Sequence, residues 1–405
     1  MVILRGNGHG AAPPAAGPAA GPGDGSPRPP RCRHPLGMVI AGGGTGGHLF
    51  PGIAIAEEFL ARDPAHRILF IGTERGLEKT VLEGMGLPLR TIRIRGIKGR
   101  GPLQILAALA MIPGAFLAAF RILREFRPDL VVGVGGYASG PAVLTARLMG
   151  TKTAIAEQNA FPGLTNRLLG RVADRIFLTF PASQRWFSEG RTEVTGNPIR
   201  AAFFAGKPPE EKEDPRFTLL IFGGSQGARA INRAAAEALS GLAHLKDRLR
   251  FIHQTGNADL ERVAAAYREG GFAADVSPFI RDMAAAYRKA DLLVCRAGAT
   301  SIAEITAGGK ASILIPFPFA VNDHQRHNAE VLSRAGAAEV IAERDLNGPV
   351  LAGAIERLVG HPDRIGKMEA AAAALGRRQA ARDIVDICLA LAGQQEPAGG
   401  RRGRE

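Results

Sequence analysis

Ala41 to Gly52 reads AGGGTGGHLFPG, six glycines in twelve residues with His48 set among them. Glycine is needed where φ is positive or where another group must come close to the backbone. The flanks decide what these glycines do. GMVI (37–40) has the apolar character of a buried strand, and GIAIAEEFLA (52–61) has the spacing of an amphipathic helix. Strand, glycine loop and helix together cradle an anion, because free N–H groups and the positive end of the helix dipole face one point.

The same order extends outward. RILFIGT (67–73), DLVVGVGG (129–136) and TAIAEQN (153–159) read as strands, with GLEKTVLEGMG (76–86) helical between the first two. At Phe217 the pattern restarts as FTLLIFGGSQGARAINRAAAEAL, again strand, glycine loop and helix. LRFIHQTG (249–256), ADLLVCRAG (290–298) and ASILIPFP (311–318) continue it. Short apolar runs alternating with helices predict parallel sheets covered on both faces. Two starts predict an α/β chain of two Rossmann-like domains, joined through TGNPIRAAFFAGKPPEEKEDPR (195–216). Ligands of such sheets bind beyond the carboxyl ends of the strands, so two facing sheets would enclose a site in the cleft between them. Gly42, Gly44 and Gly47 also satisfy the G-x-G-x-x-G dinucleotide pattern, with Glu74 as a possible ribose acid. GGSQGA in the second half does not fit that pattern, which leaves a nicotinamide-dependent oxidoreductase as an alternative.

Composition narrows the class. With 405 residues and 46% hydrophobic content the chain can bury two full cores, which excludes global disorder. Cys32, Cys295 and Cys388 show no paired spacing, which points to a reducing cytoplasm and away from disulfides or structural zinc. Residues 1–36 are rich in Pro, Gly and Ala and lack the apolar core of a signal peptide, so they read as a disordered leader; 393–405 reads as a loose tail. Part of the net charge of +13 lies within the fold: eight Lys or Arg against Glu125 between Arg90 and Arg127. Between the basic clusters runs ILAALAMIPGAFLAAF (105–120), too short and too interrupted to span a bilayer. Leu103, Ile105, Leu106, Ile112 and Phe116, with Lys98, Arg100 and Arg121, could lie on an anionic membrane surface; a buried helix pair with a solvated rim is the alternative. Nucleic acid is a poor partner, since stacking aromatics are not interleaved with the cations.

GGTGGHLFPG, VGGYASGP, AEQNAFPGLTNR, TGNPIR, GGSQGARAIN, FIRDMAAAY, CRAGATSIAEI and NDHQRHNA follow one another from the first glycine loop to about residue 330. In this order they resemble the MurG family of peptidoglycan glycosyltransferases. The resemblance implies the glycosyltransferase B fold, a peripheral position on the cytoplasmic face of the cell membrane, and inverting transfer of N-acetylglucosamine. The donor would be UDP-N-acetylglucosamine and the acceptor undecaprenyl-linked N-acetylmuramoyl-pentapeptide. An acceptor and membrane domain would occupy 37–199 and a UDP-sugar domain 200–365, with a helical segment 366–392 that could return to the first domain. A UDP-sugar epimerase on the same fold is the second alternative. The family often has His before EQN where this chain has Ala156, which puts a proton relay there in doubt.

Transfer from a nucleotide sugar requires a held, neutralised diphosphate and a deprotonated acceptor hydroxyl. His48 would be the general base or orient that hydroxyl; a structural place at the helix start is the alternative. Thr45, Gly46 and Gly47 would lie near both ligands, and Asn159 at the transferred sugar. The family places Ser225 by the donor phosphates, although alone it reads as a helix N-cap. Arg200 could neutralise the leaving group or sit in a surface ion pair. SIAE (301–304) has the form of a capping box, whereas the family would have Glu304 accept from the ribose hydroxyls and the amides of Ala299, Thr300 and Ser301 face the nucleotide. Ile280 alone reads as core and Gln325 as surface; the family gives them to uracil and to sugar hydroxyls. No D-x-D pair is present to hold a metal diphosphate, and Asp323 stands alone, so no metal or other cofactor is expected.

Overall fold

The computed structural model describes residues 34–393 apart from 45, 75–77, 95, 97–100, 102–105, 107, 109, 204–213, 225 and 321–322. The first sheet comprises β1 (Gly37–Ala41), β2 (Arg67–Thr73), β3 (Leu89–Ile92), β4 (Leu130–Gly133), β5 (Lys152–Glu157), β6 (Arg175–Leu178) and β7 (Thr192–Val194). Its order is β3-β2-β1-β4-β5-β6-β7, and its strand pairs are parallel. The second comprises β8 (Phe217–Phe222), β9 (Leu249–Gln254), β10 (Ala273–Ser277), β11 (Leu292–Cys295), β12 (Ala311–Leu314) and β13 (Ala338–Val340). It is parallel too, in the order β10-β9-β8-β11-β12-β13. Both are doubly wound, so each reverses its direction of build-up at one switch point, β1/β4 and β8/β11.

Val39, Ile40 and Ala41 in β1 and Leu219, Leu220 and Ile221 in β8 are buried, as continuous apolar strands between two helical layers must be. The C-terminal segment divides. Ile365, Met368 and Ala372 of helix Pro362–Leu375 pack in the cores of the second sheet, and only helix Ala380–Gly393 crosses back. There Ile384, Val385 and Cys388 join Met38, Ile53 and Phe59 in one core. A helical unit 366–392 taken whole therefore cuts through helix Pro362–Leu375. The leader drawn to 36 likewise runs too far, because Leu36 is buried in the first core and its N–H donates to His66 Nδ1. The two chain crossings touch: Gly196 has φ 88°, and a Cβ there would stand 2.4 Å from Arg377 Cβ.

Candidate active site

The first glycine loop leaves β1 with Gly42, Gly43 and Gly44 at φ 155°, 125° and 88°, then enters helix Gly46–Arg62. A Cβ on Gly42 would lie 2.5 Å from the Gly135 carbonyl, and one on Gly136 2.5 Å from the Gly43 carbonyl. Bare backbone thus lets the loops after β1 and β4 interleave at the switch point. One contact was not foreseen. Glu78 is buried and accepts from the Gly44 N–H at 2.5 Å, so that amide is already used. Its other carboxylate oxygen is buried with no hydrogen-bond partner among the described residues. Only the glutamate in GLEKTV, facing a glycine loop two elements earlier, could have signalled it. Thr45 lies outside the described residues.

His48 sits in the first turn of that helix, half-buried. Its Nδ1 lies 3.0 Å from the Val134 carbonyl and 3.2 Å from Gln158 Oε1. A backbone carbonyl only accepts, so Nδ1 carries the proton and Nε2 the lone pair. Gly135, at φ 92°, makes the room: a Cβ there would stand 2.5 Å from Nδ1. At the end of β5, buried Glu157 accepts from the N–H groups of Asn159 and Gly163 and from Asn166 Nδ2, at 2.9–3.0 Å. It also accepts from Asn159 Nδ2 at 3.2 Å, which holds the Asn159 side chain against the end of β5.

The halves meet at this point. Thr300 Oγ1 donates to the Gly47 carbonyl at 3.2 Å, so the N-termini of helices Gly46–Arg62 and Ala299–Gly308 converge. Two positive helix ends that meet favour negative charge at that point. Nearby, the Ala160 N–H donates to Asn328 Oδ1, and Asn328 Nδ2 to the Ala297 carbonyl. Arg200 stands between the halves with its guanidinium 4.6 Å from the Phe50 ring and 5.5 Å from Phe203. Its buried Nε has no hydrogen-bond partner among the described residues.

Glu304 lies in the middle of helix Ala299–Gly308, where the helix begins too early for Ser301 to cap it, and Gly298 is the N-cap. The capping-box reading therefore fails. The residue is 8% exposed, and Tyr287 Oη donates to its Oε2 at 3.2 Å. Burial pushes its carboxyl up to about 7, against the pull of Arg200 and the Tyr287 hydrogen bond. Ile280 gives its N–H to Gln254 Oε1 at 2.8 Å, while Gln254 Nε2 donates to the Gly224 carbonyl at 2.8 Å. Buried Gln254 thereby ties the second glycine loop to the Ile280 loop, a bridge between segments too distant in the chain for pattern reading. Gln325 Oε1 accepts from the Phe317 N–H. Ser225 lies outside the described residues. Glu74, the acid the dinucleotide pattern needs, is ion-paired with Arg93 at 2.7 Å on the outer surface.

On the far side of the first sheet, helix Ile112–Phe126 buries Ala115, Ala119 and Leu123. Leu117 and Phe120 point outward, 50% and 38% exposed, beside exposed Arg121 and Arg124. Leu106 is 65% exposed, whereas Ile112 and Phe116 are half-buried. Leu103, Ile105, Lys98 and Arg100 lie outside the described residues. Among the described residues no helix is long and apolar enough to cross a membrane.

Two doubly wound sheets whose switch points face one another across a cleft form the glycosyltransferase B architecture, shared by two-domain sugar-nucleotide enzymes. The sequence model of the glycosyltransferase family 28 N-terminal domain matches residues 38–178, and that of its C-terminal domain residues 218–386. The chain belongs to glycosyltransferase family 28. It is 60% identical over 354 residues, 87% of this chain and 98% of the relative, to the UDP-N-acetylglucosamine--N-acetylmuramyl-(pentapeptide) pyrophosphoryl-undecaprenol N-acetylglucosamine transferase of Syntrophus aciditrophicus. The Myxococcus xanthus protein of the same name is 50% identical, over 90% of this chain and 95% of its own. The crystal structure of Acinetobacter baumannii MurG superposes with a TM-score of 0.68 at 33% identity, covering 87% of this chain and 99% of that one.

Proposed function

We infer that this chain is an inverting N-acetylglucosaminyltransferase of peptidoglycan synthesis, moving the sugar from UDP-N-acetylglucosamine to the lipid-linked N-acetylmuramoyl-pentapeptide. The transferase name carried by relatives 50–60% identical over almost their full length supports the donor and acceptor, and speaks against an epimerase. The observation that carries the chemistry is His48: Nδ1 is engaged by the Val134 carbonyl, and Nε2, which has no hydrogen bond among the described residues, can take a proton near two converging helix ends. The acceptor hydroxyl oxygen attacks the anomeric carbon from the side opposite UDP, and its proton passes to His48 Nε2. The bond from the anomeric carbon to the diphosphate breaks, and its electron pair leaves on the β-phosphate. Helix dipoles, the amides of Ala299, Thr300 and Ser301, and Arg200 stabilise that charge.

In this reading Glu304 accepts from the ribose hydroxyls, Ile280 offers its carbonyl to uracil, and the Gln325 amide and Asn159 face the sugar. Thr45, Gly46 and Gly47 lie by the diphosphate, and Ser225 by the donor phosphates. Residues 37–199 hold the acceptor and 200–365 the nucleotide. Since a polyprenyl chain stays in the bilayer, the enzyme docks peripherally on the cytoplasmic face. Leu106, Leu117 and Phe120 supply the apolar contact and Arg121 and Arg124 meet anionic headgroups, each at about 1 kcal/mol. A transfer assay with labelled UDP-N-acetylglucosamine and a short-chain lipid acceptor tests the reading. Acceptor-dependent label transfer is expected. Sugar epimerisation without acceptor, or binding of NAD but not UDP, would overturn it.

A further inference from the structure

The reading of His48 as base leaves open what keeps its proton on Nδ1. The Val134 carbonyl is one acceptor, but it also receives Gln158 Nε2 at 3.1 Å, so it is shared. Gln158 is buried where the chain leaves β5, next to β4 in the sheet. Its Nε2 donates to two backbone carbonyls, Val134 at 3.1 Å and Ala156 at 3.2 Å. Neither carbonyl can donate in return, so the amide has one orientation, with Oε1 turned to His48 Nδ1 at 3.2 Å. The imidazole therefore meets two acceptors on one nitrogen, one of them held by backbone that cannot rotate.

We propose that Gln158 is a positioning residue that locks His48 in the tautomer with its lone pair on Nε2. The inference rests on the base reading and deepens it. An imidazole protonated on Nε2 would set its Nδ1 lone pair against two oxygen lone pairs, and it could accept nothing at Nε2. Gln158 selects against that form without touching either substrate. Ala156 takes part only through its backbone oxygen, so the arrangement does not depend on a histidine at that position.

The test uses the full chain labelled with 15N-histidine. There are nine histidines, and subtracting the spectrum of His48→Asn assigns His48. At alkaline pH, wild type should show His48 Nε2 as an unprotonated, pyridine-like nitrogen. Gln158→Met, close in shape and unable to accept as Gln does, leaves the Val134 carbonyl as the remaining acceptor and should show a larger share of the other tautomer than wild type. Its kcat should fall about tenfold, with UDP affinity and melting temperature near wild type. The wild-type spectrum alone can overturn the proposal, by showing the proton on Nε2, even if Gln158→Met does not fold. A folded Gln158→Met with unchanged tautomer and kcat would overturn it as well. His48→Asn keeps a donor at the Nδ1 position and lacks a base, so near-normal turnover in that variant would instead overturn the base reading. An inactive His48→Asn beside an unaffected Gln158→Met would overturn the positioning role alone.

Discussion

Each half of the molecule holds a histidine close to its switch point, and the two are used oppositely. His253, at the end of β9, is buried with both ring nitrogens engaged, Nδ1 by Tyr267 Oη at 3.0 Å and Nε2 by Asn232 Oδ1 at 3.1 Å. Asn232 Nδ2 donates to the Thr255 carbonyl and to Asp259 Oδ2, which turns its oxygen to the ring. Burial pushes the His253 imidazole down to about 3, so it stays neutral and structural. His48 has Nδ1 engaged by the Val134 carbonyl and Gln158 Oε1, and Nε2 makes no hydrogen bond among the described residues. The same residue type in the same fold becomes core where its hydrogen bonds are completed, and serves as base in the proposed mechanism where one is withheld.

The sharpest way to break this comparison is to remove the free nitrogen. His48→Ala should lower kcat by about 10²–10⁴-fold while UDP affinity stays near wild type; single-turnover transfer and titration calorimetry separate the two quantities. A glycine in each half then tests whether the halves divide the work. Gly135→Ala puts a Cβ 2.5 Å from His48 Nδ1 at φ 92°, and Gly227→Ala puts one 1.9 Å from the Thr255 carbonyl at φ 75°. The first should cost turnover, by about tenfold or more, and the second UDP affinity, since only the first disturbs the proposed base. Equal losses of both quantities in both variants would dissolve the division.

Glu304 predicts a signature in binding. Its carboxyl stands at about 7, and ribose hydroxyls donate best to the ionised form. UDP should therefore bind more tightly as pH rises through 7 and release a proton on binding below it. Calorimetry in buffers of different ionisation enthalpy reads that proton, and Glu304→Gln should abolish this share of it and weaken UDP with little change in melting temperature.

Stability follows with opposite signs. His253 is neutral when folded down to about pH 3 but takes a proton near 6.5 when unfolded, so its contribution is lost as pH falls below 6.5. Glu304 keeps its proton to about 7 when folded but loses it near 4.5 when unfolded, so its contribution is lost as pH rises through that interval. Melting curves of wild type minus His253→Gln should fall on acidification from 6.5. A flat difference would remove His253 from the balance. The smallest effect is expected at the membrane face. Leu117→Glu with Phe120→Glu should weaken sedimentation with anionic vesicles by a few fold, and leave transfer to a short-chain acceptor unchanged.

Much of the fold was legible because parallel strands buried on both faces are continuous apolar runs, and both glycine loops announce a turn from strand to helix. Helix Pro362–Leu375 was misdivided because its alanine-rich sequence fits either core, and only packing assigns it. The capping box in SIAE was a local pattern overruled by where the helix begins, at Ala299, under Gly298. Glu78, Gln158 and Gln254 carried no local signal, since each acts on backbone 24 to 34 residues away.

The amino-acid order by itself determined two strand, glycine-loop and helix starts, the doubly wound class and the presence of a histidine in the first loop. These follow from local rules of periodicity and allowed φ. Tertiary structure alone decided which nitrogen of His48 is engaged, which carboxyl is raised, and that two helix ends meet through Thr300 and Gly47. The reason is physical. Protonation, tautomer and field depend on burial and on acceptors from distant strands, and those distances exist only once both sheets have formed and closed on each other.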